Sequence, residues 1–164
     1  MSSLGGIVVL THALIGFLFM AGLVGRWIVL GMAQRATELR DMRLLSAAAG
    51  PFERIVIISA NFVLLFGIAA AWLQGRNALG PLTGGSVDWL FVALVLFLSN
   101  LPLVPLVFIP RGREFESVMR DAEAQDRVTA ELAAAWRDPR VRAAHVYELG
   151  SNTIVLILML TKPF

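Results

Sequence analysis

The chain contains no cysteine, little charge and only two histidines. Of its 164 residues, 16% are charged and 57% are hydrophobic, and the mean hydropathy is +0.74. Without cysteine the chain has no disulfide, no thiolate metal ligand and no cysteine nucleophile. Since soluble domains carry about 25% charged residues, this composition excludes a soluble enzyme, a disordered chain and a secreted disulfide-rich scaffold. It is typical of a protein embedded in a membrane.

A helix that crosses a bilayer needs about 20 apolar residues, and four stretches of the chain are close to this length. The first 25 residues are uncharged, and no basic residue precedes their apolar run, so we expect a retained helix and no signal peptide. Only uncharged residues lie between Arg54 and Arg76 and between Asp88 and Arg111. The sequence therefore predicts an all-α, four-transmembrane-helix bundle that forms one integral membrane domain over residues 1–164. The expected helices cover about 5–33, 52–73, 88–109 and 143–161.

Basic residues are unevenly distributed between the connections, which predicts the orientation of the chain. Of the 14 basic residues, only Arg76 and Lys162 fall outside the first and third connections. Because short cytoplasmic loops are enriched in Lys and Arg, both of these connections should be cytoplasmic and both chain termini should be outside. Trp72 and Trp89 would then mark the outer interface. This distribution explains the basic pI of about 9.9 without nucleic-acid binding.

The connection between the third and fourth helices is long enough to contain a helix of its own. Phe115, Val118, Met119 and Ala122 recur at helical spacing. This pattern predicts a cytoplasmic amphipathic helix that lies on the membrane or caps the bundle. A solvated linker helix without a partner is the alternative.

Three prolines lie in the inner half of the expected third helix, namely Pro102, Pro105 and Pro110. Each removes a backbone donor and frees a carbonyl group of the preceding turn. We therefore expect a kink there, for packing or beside a ligand site at Asn100.

Charged and ionisable residues at membrane depth are costly, so each requires a partner or a function. Arg26 lies near the inner end of the first helix, and Glu148 and His145 lie near the inner end of the fourth. We expect Arg26 and Glu148 to form a structural ion pair, in preference to a catalytic role.

His12 is the candidate cofactor-binding residue, and it has no evident partner in the sequence. Fourteen residues separate it from Arg26, which is about 21 Å along a helix. His12 and His145 should therefore lie most of a bilayer apart, which disfavours a b-type haem held by both of them.

Three asparagines fall near the middle of the membrane. Counted inward from the basic residue at the end of each helix, Asn61, Asn100 and Asn152 lie at about 10, 16 and 15 Å. We expect these amides to bond across helices and to determine their register, in preference to lining a substrate or proton path.

No sequence motif for nucleophilic, phosphate-binding or zinc chemistry is present. We therefore expect no catalytic residue and no metal site.

The segments THALIGFLFMAGLVGRW, ERIVIISANFVLLFGIAAAWLQG, WRDPRVRAAH and ILMLTKPF stand out in the chain. Together they resemble a bacterial family of predicted four-helix integral membrane proteins of unknown function, and the resemblance covers nearly the whole chain. The most specific features are His12 with Gly16, Gly22 and Gly25, and the ending Lys162, Pro163 and Phe164. The resemblance implies an inner-membrane bundle without assigned chemistry. A more distant likeness is to copper-resistance and haem-associated four-helix membrane proteins.

These observations predict a non-enzymatic protein of the bacterial inner membrane that serves as an accessory or scaffold subunit of a larger complex. Its partners would be membrane lipids and other membrane proteins, or further copies of itself. The alternative is a small protein that binds a cofactor, such as b-type haem or quinone, or a solute through its intramembrane polar residues.

Overall fold

The structure is a computed structural model in which residues 3–163 are described, and within this range it is helical, without strands. Met1, Ser2 and Phe164 lie outside the described residues, and with them the termini and the last residue of the Lys-Pro-Phe ending. Six α-helices follow one another along the chain: α1 (Ser3–Arg35), α2 (Leu39–Leu73), α3 (Trp89–Leu98), α4 (Ile109–Ala124), α5 (Ala130–Trp136) and α6 (Pro139–Thr161).

Three long apolar segments account for the membrane-spanning character of the chain. They are Leu4–Arg35, Leu39–Leu73 and Ala130–Thr161, the last of which includes α5 and α6. Each is long and apolar enough to cross a bilayer, as is expected of a multi-pass membrane protein. The apolar helix α3 has only 10 residues, which span about 15 Å and cover half of the hydrocarbon layer.

The second helix begins earlier than the sequence indicated, at Leu39 and not near residue 52. Pro51 lies inside the helix and not at its start. The segment before it, LRDMRLLSAAAG, is rich in leucine, alanine and arginine, which favour helix strongly enough to continue through one missing hydrogen bond. Only residues 36–38 therefore connect α1 and α2.

The helices α1 and α2 form an antiparallel hairpin in close contact. A side chain at Gly25 would approach the Phe52 ring to 2.4 Å, and one at Gly22 would meet Ile55 and Val56 at 3.0 Å. Phe19, Leu23 and Val56 are buried together beside these glycines. The small residues allow the backbones to approach closely, as in many membrane helix pairs.

The expected third helix, 88–109, is interrupted in its middle. After α3 ends at Leu98, the chain forms turns up to residue 103 and a short π-helix over Val104–Phe108, which leads into α4. Pro102 and Pro105 cannot donate hydrogen bonds to the preceding turn. The Ser99 hydroxyl and the Asn100 amide both donate to the Leu96 carbonyl, each at 2.7 Å. The main-chain N–H of Asn100 bonds to the Phe97 carbonyl at 3.2 Å, so these side chains replace it as donors to the Leu96 carbonyl.

The apolar face of α4 packs on the protein at the start of α2. Met119 and Ala122 are buried together with Met42 of α2 and Leu132 of α5. Thr129 caps α5 by accepting from the Leu132 amide, and Asp138 caps α6 by accepting from the Arg140 amide. We call this end of the bundle the α4 end, and the opposite end, where α2 finishes and α3 begins, the Trp89 end.

The hairpin packing predicts different effects for two glycines of α1. Gly25→Val places methyl groups against the Phe52 ring and should lower the free energy of unfolding by about 1–3 kcal/mol. Gly31→Val is the matched control, since no atom lies within 4 Å of a Cβ at Gly31. Thermal unfolding in detergent micelles measures both. Equal destabilisation by the two variants would contradict the close approach at Gly25.

Candidate functional site

An apolar cleft of about 240 Å³ lies between the α1–α2 hairpin and the pair formed by α3 and α6. Its walls are almost entirely apolar and come from all four helices, for example Phe17, Met20, Leu64, Leu94 and Leu156. The cleft extends along α6 from Asn152 to the Trp89 end, which is about 15 Å at helical rise. Such concave apolar sites with a few polar groups are typical of small-molecule binding sites.

Asn152 lies at the deep end of the cleft with one of its polar atoms unpaired. The residue is 3% exposed, and its Nδ2 donates to the Glu148 carbonyl at 2.8 Å. Its Oδ1 accepts no hydrogen bond from any residue that the structure describes. The oxygen is covered by protein, and a buried acceptor without a donor costs about 1–3 kcal/mol. A ligand that displaces the side chain slightly and supplies a donor would offset this cost.

His12 lines the same cleft and joins α1 to α2. Its Nδ1 lies 3.1 Å from the Val63 carbonyl, and its ring packs over Gly67, where a Cβ would be only 3.0 Å from Cε1. Since a carbonyl can only accept, Nδ1 carries the hydrogen, and Nε2 of the neutral ring has a free lone pair. Nε2 has no hydrogen-bond partner within residues 3–163. The partner of His12 is therefore a main-chain carbonyl, and one acceptor of the ring remains available.

Two cations lie at the Trp89 end of the cleft. The guanidinium of Arg76 lies 5.3 Å and the ammonium of Lys162 lies 5.9 Å from the centre of the Trp89 ring. Both residues line the cleft, and neither forms an ion pair with a carboxylate in the described part of the chain. The cleft is therefore apolar along its length and positively charged at its mouth.

A buried ion pair lies away from the cleft, toward the α4 end. Arg26 of α1 donates to the Glu148 carboxylate of α6, and both side chains are about nine-tenths buried. The Nδ1 of His145 is 3.6 Å from Glu148, and the His145 ring stacks on Phe108 at 4.8 Å. Arg26 also lies over the Phe108 ring, at 5.6 Å. These four residues form a closed cluster that joins α1, α6 and the π-helix.

The asparagines that we expected to share a layer have different environments. The Asn100 Oδ1 accepts from the Ser151 hydroxyl at 3.2 Å, which ties the end of α3 to α6. Asn61 is exposed on the outer face of α2, and it donates to its own helix, at the Ile57 carbonyl, at 2.7 Å. Of the three asparagines, Asn100 alone bonds across helices within the described residues, whereas Asn61 and Asn152 donate to carbonyls of their own helices. Helical rise gives the depth of a residue, but Asn61 is rotated by about 200° from the buried Ser59 and so faces away from the bundle.

The two histidines do not come together. His145 belongs to the cluster around Arg26, which lies fourteen residues of α1, or about 21 Å, from His12. His12 can therefore make one hydrogen bond or coordinate bond to a ligand, through Nε2, without help from His145. The described residues include no group of three or more possible metal ligands.

Sequence reasoning did not identify Arg76, Trp89 and Lys162 as parts of a site. Their positions were used only to predict the orientation of the chain and the outer membrane interface. One signal could have suggested the site: the two basic residues outside the first and third connections both lie close to the ends of apolar helices at the same end of the bundle.

Comparison with protein-family models, with curated proteins and with solved structures finds no match for this chain. The resemblance to four-helix membrane proteins of unknown function stays a prediction.

The buried ion pair predicts strongly non-additive effects of substitution. Glu148→Leu leaves the Arg26 charge unpaired in an apolar environment and should cost about 3–5 kcal/mol of stability. Arg26→Met should cost a similar amount for the same reason. The double variant should regain most of this loss, because it leaves no buried charge. Thermal unfolding of the four proteins in detergent measures the cycle, and additive losses would contradict a mutual pair.

Proposed function

We propose that this chain is a non-enzymatic, multi-pass membrane protein that binds an anionic, single-chain amphiphile in the cleft. The observation that carries the proposal is the arrangement of polar groups in the cleft. Unpaired cations lie at its mouth, apolar walls follow, and an unpaired hydrogen-bond acceptor, the Asn152 Oδ1, lies at its deep end. An amphiphile with an acidic head and a hydrocarbon chain matches this order.

The charge at the mouth supports an anionic head group. Arg76 and Lys162 converge on one tryptophan ring and have no carboxylate partner among the described residues. A carboxylate or phosphate would form charge-assisted hydrogen bonds with both of them. Tryptophan favours the head-group region of a bilayer, which is the depth at which such a head would lie.

The size of the cleft supports a single hydrocarbon chain. Its volume of about 240 Å³ is smaller than the about 300–1,000 Å³ of sites for drug-sized molecules. A bulky macrocycle such as haem, or a lipid with two chains, fits this volume poorly. A linear chain that follows α6 for about 15 Å fits it well.

The acceptor at the deep end supports a ligand with a hydroxyl group on its chain. The Asn152 Oδ1 can accept a hydrogen bond and has no donor within residues 3–163. A hydroxyl is the simplest group that donates to it, and it would remove the cost of an unpaired buried acceptor.

The orientation expected from the basic residues belongs to the same proposal. With the first and third connections in the cytoplasm of a bacterium, the mouth with Arg76 and Lys162 would face the outer surface of the inner membrane. The amphiphile would then enter from the outer leaflet.

A role as an accessory or scaffold subunit is the second candidate. Asn61, an amide on the outer face of a long apolar helix, requires a partner there, and a subunit role is the case in which this partner is a different protein. Purification from native membranes in mild detergent tests it. A different membrane protein at a constant ratio to this chain would support a subunit role, and the chain alone, or with further copies of itself, would contradict it.

Binding of defined amphiphiles tests the first proposal. The protein in nanodiscs of zwitterionic lipid should bind radiolabelled dodecanoate at least tenfold more tightly than dodecanol, because only the acid is charged. Replacing both cations (Arg76→Gln with Lys162→Gln) should remove this preference. The matched control is Arg113→Gln with Arg140→Gln, two exposed cations at the α4 end, and it should retain the preference.

A second binding experiment tests the role of Asn152 at the deep end of the cleft. The wild-type protein should bind ω-hydroxydodecanoate more tightly than dodecanoate, and Asn152→Leu should abolish the difference. Asn152→Leu should also raise the melting temperature of the ligand-free protein, since it removes an unpaired buried acceptor. Equal binding of acid and alcohol by the wild-type protein would overturn the proposal, and so would no binding of either.

A further inference from the structure

A regular row of exposed side chains runs along the outer face of α2. Its members are spaced alternately by three and four residues, in the order Ile58, Asn61, Leu65, Ile68 and Trp72. Ile58, Leu65 and Ile68 are each more than half exposed, and Trp72 is 79% exposed. We call this row the α2 seam. The spacing is that of the contact positions of a coiled coil, which bring one side of a helix against a second helix.

The seam lies opposite the face of α2 that packs on α1. Val56, Ser59 and Gly67 face α1 or the buried core, and each lies about 200° around the helix from the seam residue two positions away. No other described segment covers the seam, since its residues stay exposed in the folded chain.

Asn61 is the polar member of this row, and its hydrogen bonds are incomplete. Its Nδ2 donates one hydrogen to the Ile57 carbonyl. The second hydrogen and Oδ1 have no partner within residues 3–163. At about 10 Å beyond Arg54 along the helix, no bulk water would be available to bond them. A partner in the membrane must therefore supply both an acceptor and a donor.

We propose that the seam pairs with the same seam of a second copy of this chain. An amide carries a donor and an acceptor, so two asparagines related by a two-fold axis can satisfy each other. Copies inserted in the same direction are related by an axis along the membrane normal, which makes their α2 helices parallel. Asn61 then lies at the same depth as Asn61 of the partner subunit, between apolar contacts at Ile58 and Leu65.

The polar position also gives the pair its register. In a parallel coiled coil, one asparagine at a contact position fixes alignment because any shift leaves the amides unpaired. The other members of the seam are apolar and would tolerate sliding. This pairing is independent of the cleft, which lies between α1, α2, α3 and α6 and has no lining residue in common with the seam except Ile68.

Cross-linking of single cysteines tests the proposal directly, because the natural chain contains no cysteine. Ile58→Cys and Leu65→Cys, oxidised in native membranes, should each form a disulfide-linked dimer. Leu14→Cys on α1 and Ile154→Cys on α6 are the controls, since both residues are exposed but lie off the seam. Dimers from the controls at the same yield, or monomers from the seam variants, would overturn the proposal. An adduct with a different protein at the seam would also overturn it.

Substitution of Asn61 distinguishes the contribution of its amide to dimer affinity from the contribution of apolar contact along the seam. Asn61→Leu keeps the size of the side chain and should raise the dimer dissociation constant in detergent by about fivefold, since interhelical hydrogen bonds in membranes are modest. Asn61→Gln keeps the amide and should recover most of the affinity. Asn61 bonds only to its own helix, so Asn61→Leu should leave the melting temperature of the monomer unchanged. A dimer of Asn61→Leu as stable as the wild type would contradict the role of the amide.

Discussion

The pair of Arg26 and Glu148 is the interaction on which the arrangement of the helices depends. It joins α1 to α6, and so it connects the close α1–α2 hairpin to the α3–α6 pair. Two charges in an apolar environment are stable only together, since each one alone would be costly. His145 and Phe108 enclose the pair and bring the π-helix into the same cluster.

The position of this cluster toward the α4 end explains why the cleft opens at the other end. Beside Arg26, the side chains of Phe19, Leu23 and Val56 fill the space between the helices. Farther along, His12 packs over Gly67 and holds α1 against α2, and the cleft lies between this hairpin and α3. The cleft reaches the Trp89 end, where two cations lie near one aromatic ring. One junction therefore both stabilises the bundle and shapes its candidate binding site.

The polar residues of the long helices follow one physical rule with different outcomes. Each must find a hydrogen-bond partner in a region without water. The Asn100 Oδ1 accepts from the Ser151 hydroxyl, and the His12 Nδ1 donates to the Val63 carbonyl. Asn152 and Asn61 each keep an unpaired oxygen, one inside the cleft and one on the outer surface. These two oxygens are the origin of the two proposals, a ligand within the chain and a second copy beside it.

Composition and spacing alone determined the helical class, the long apolar segments and the depth of each polar residue, because hydropathy and helical rise are local properties of the chain. The pairing of Arg26 with Glu148 followed from the same reasoning, since a charge at that depth requires a carboxylate at the same level of a neighbouring helix. The tertiary structure decided which way each side chain faces. It placed Asn61 outside, gave His12 a main-chain partner that no sequence motif encodes, and carried α2 through Pro51. It also brought Arg76, Trp89 and Lys162 together, because contact between distant segments depends on how the helices pack.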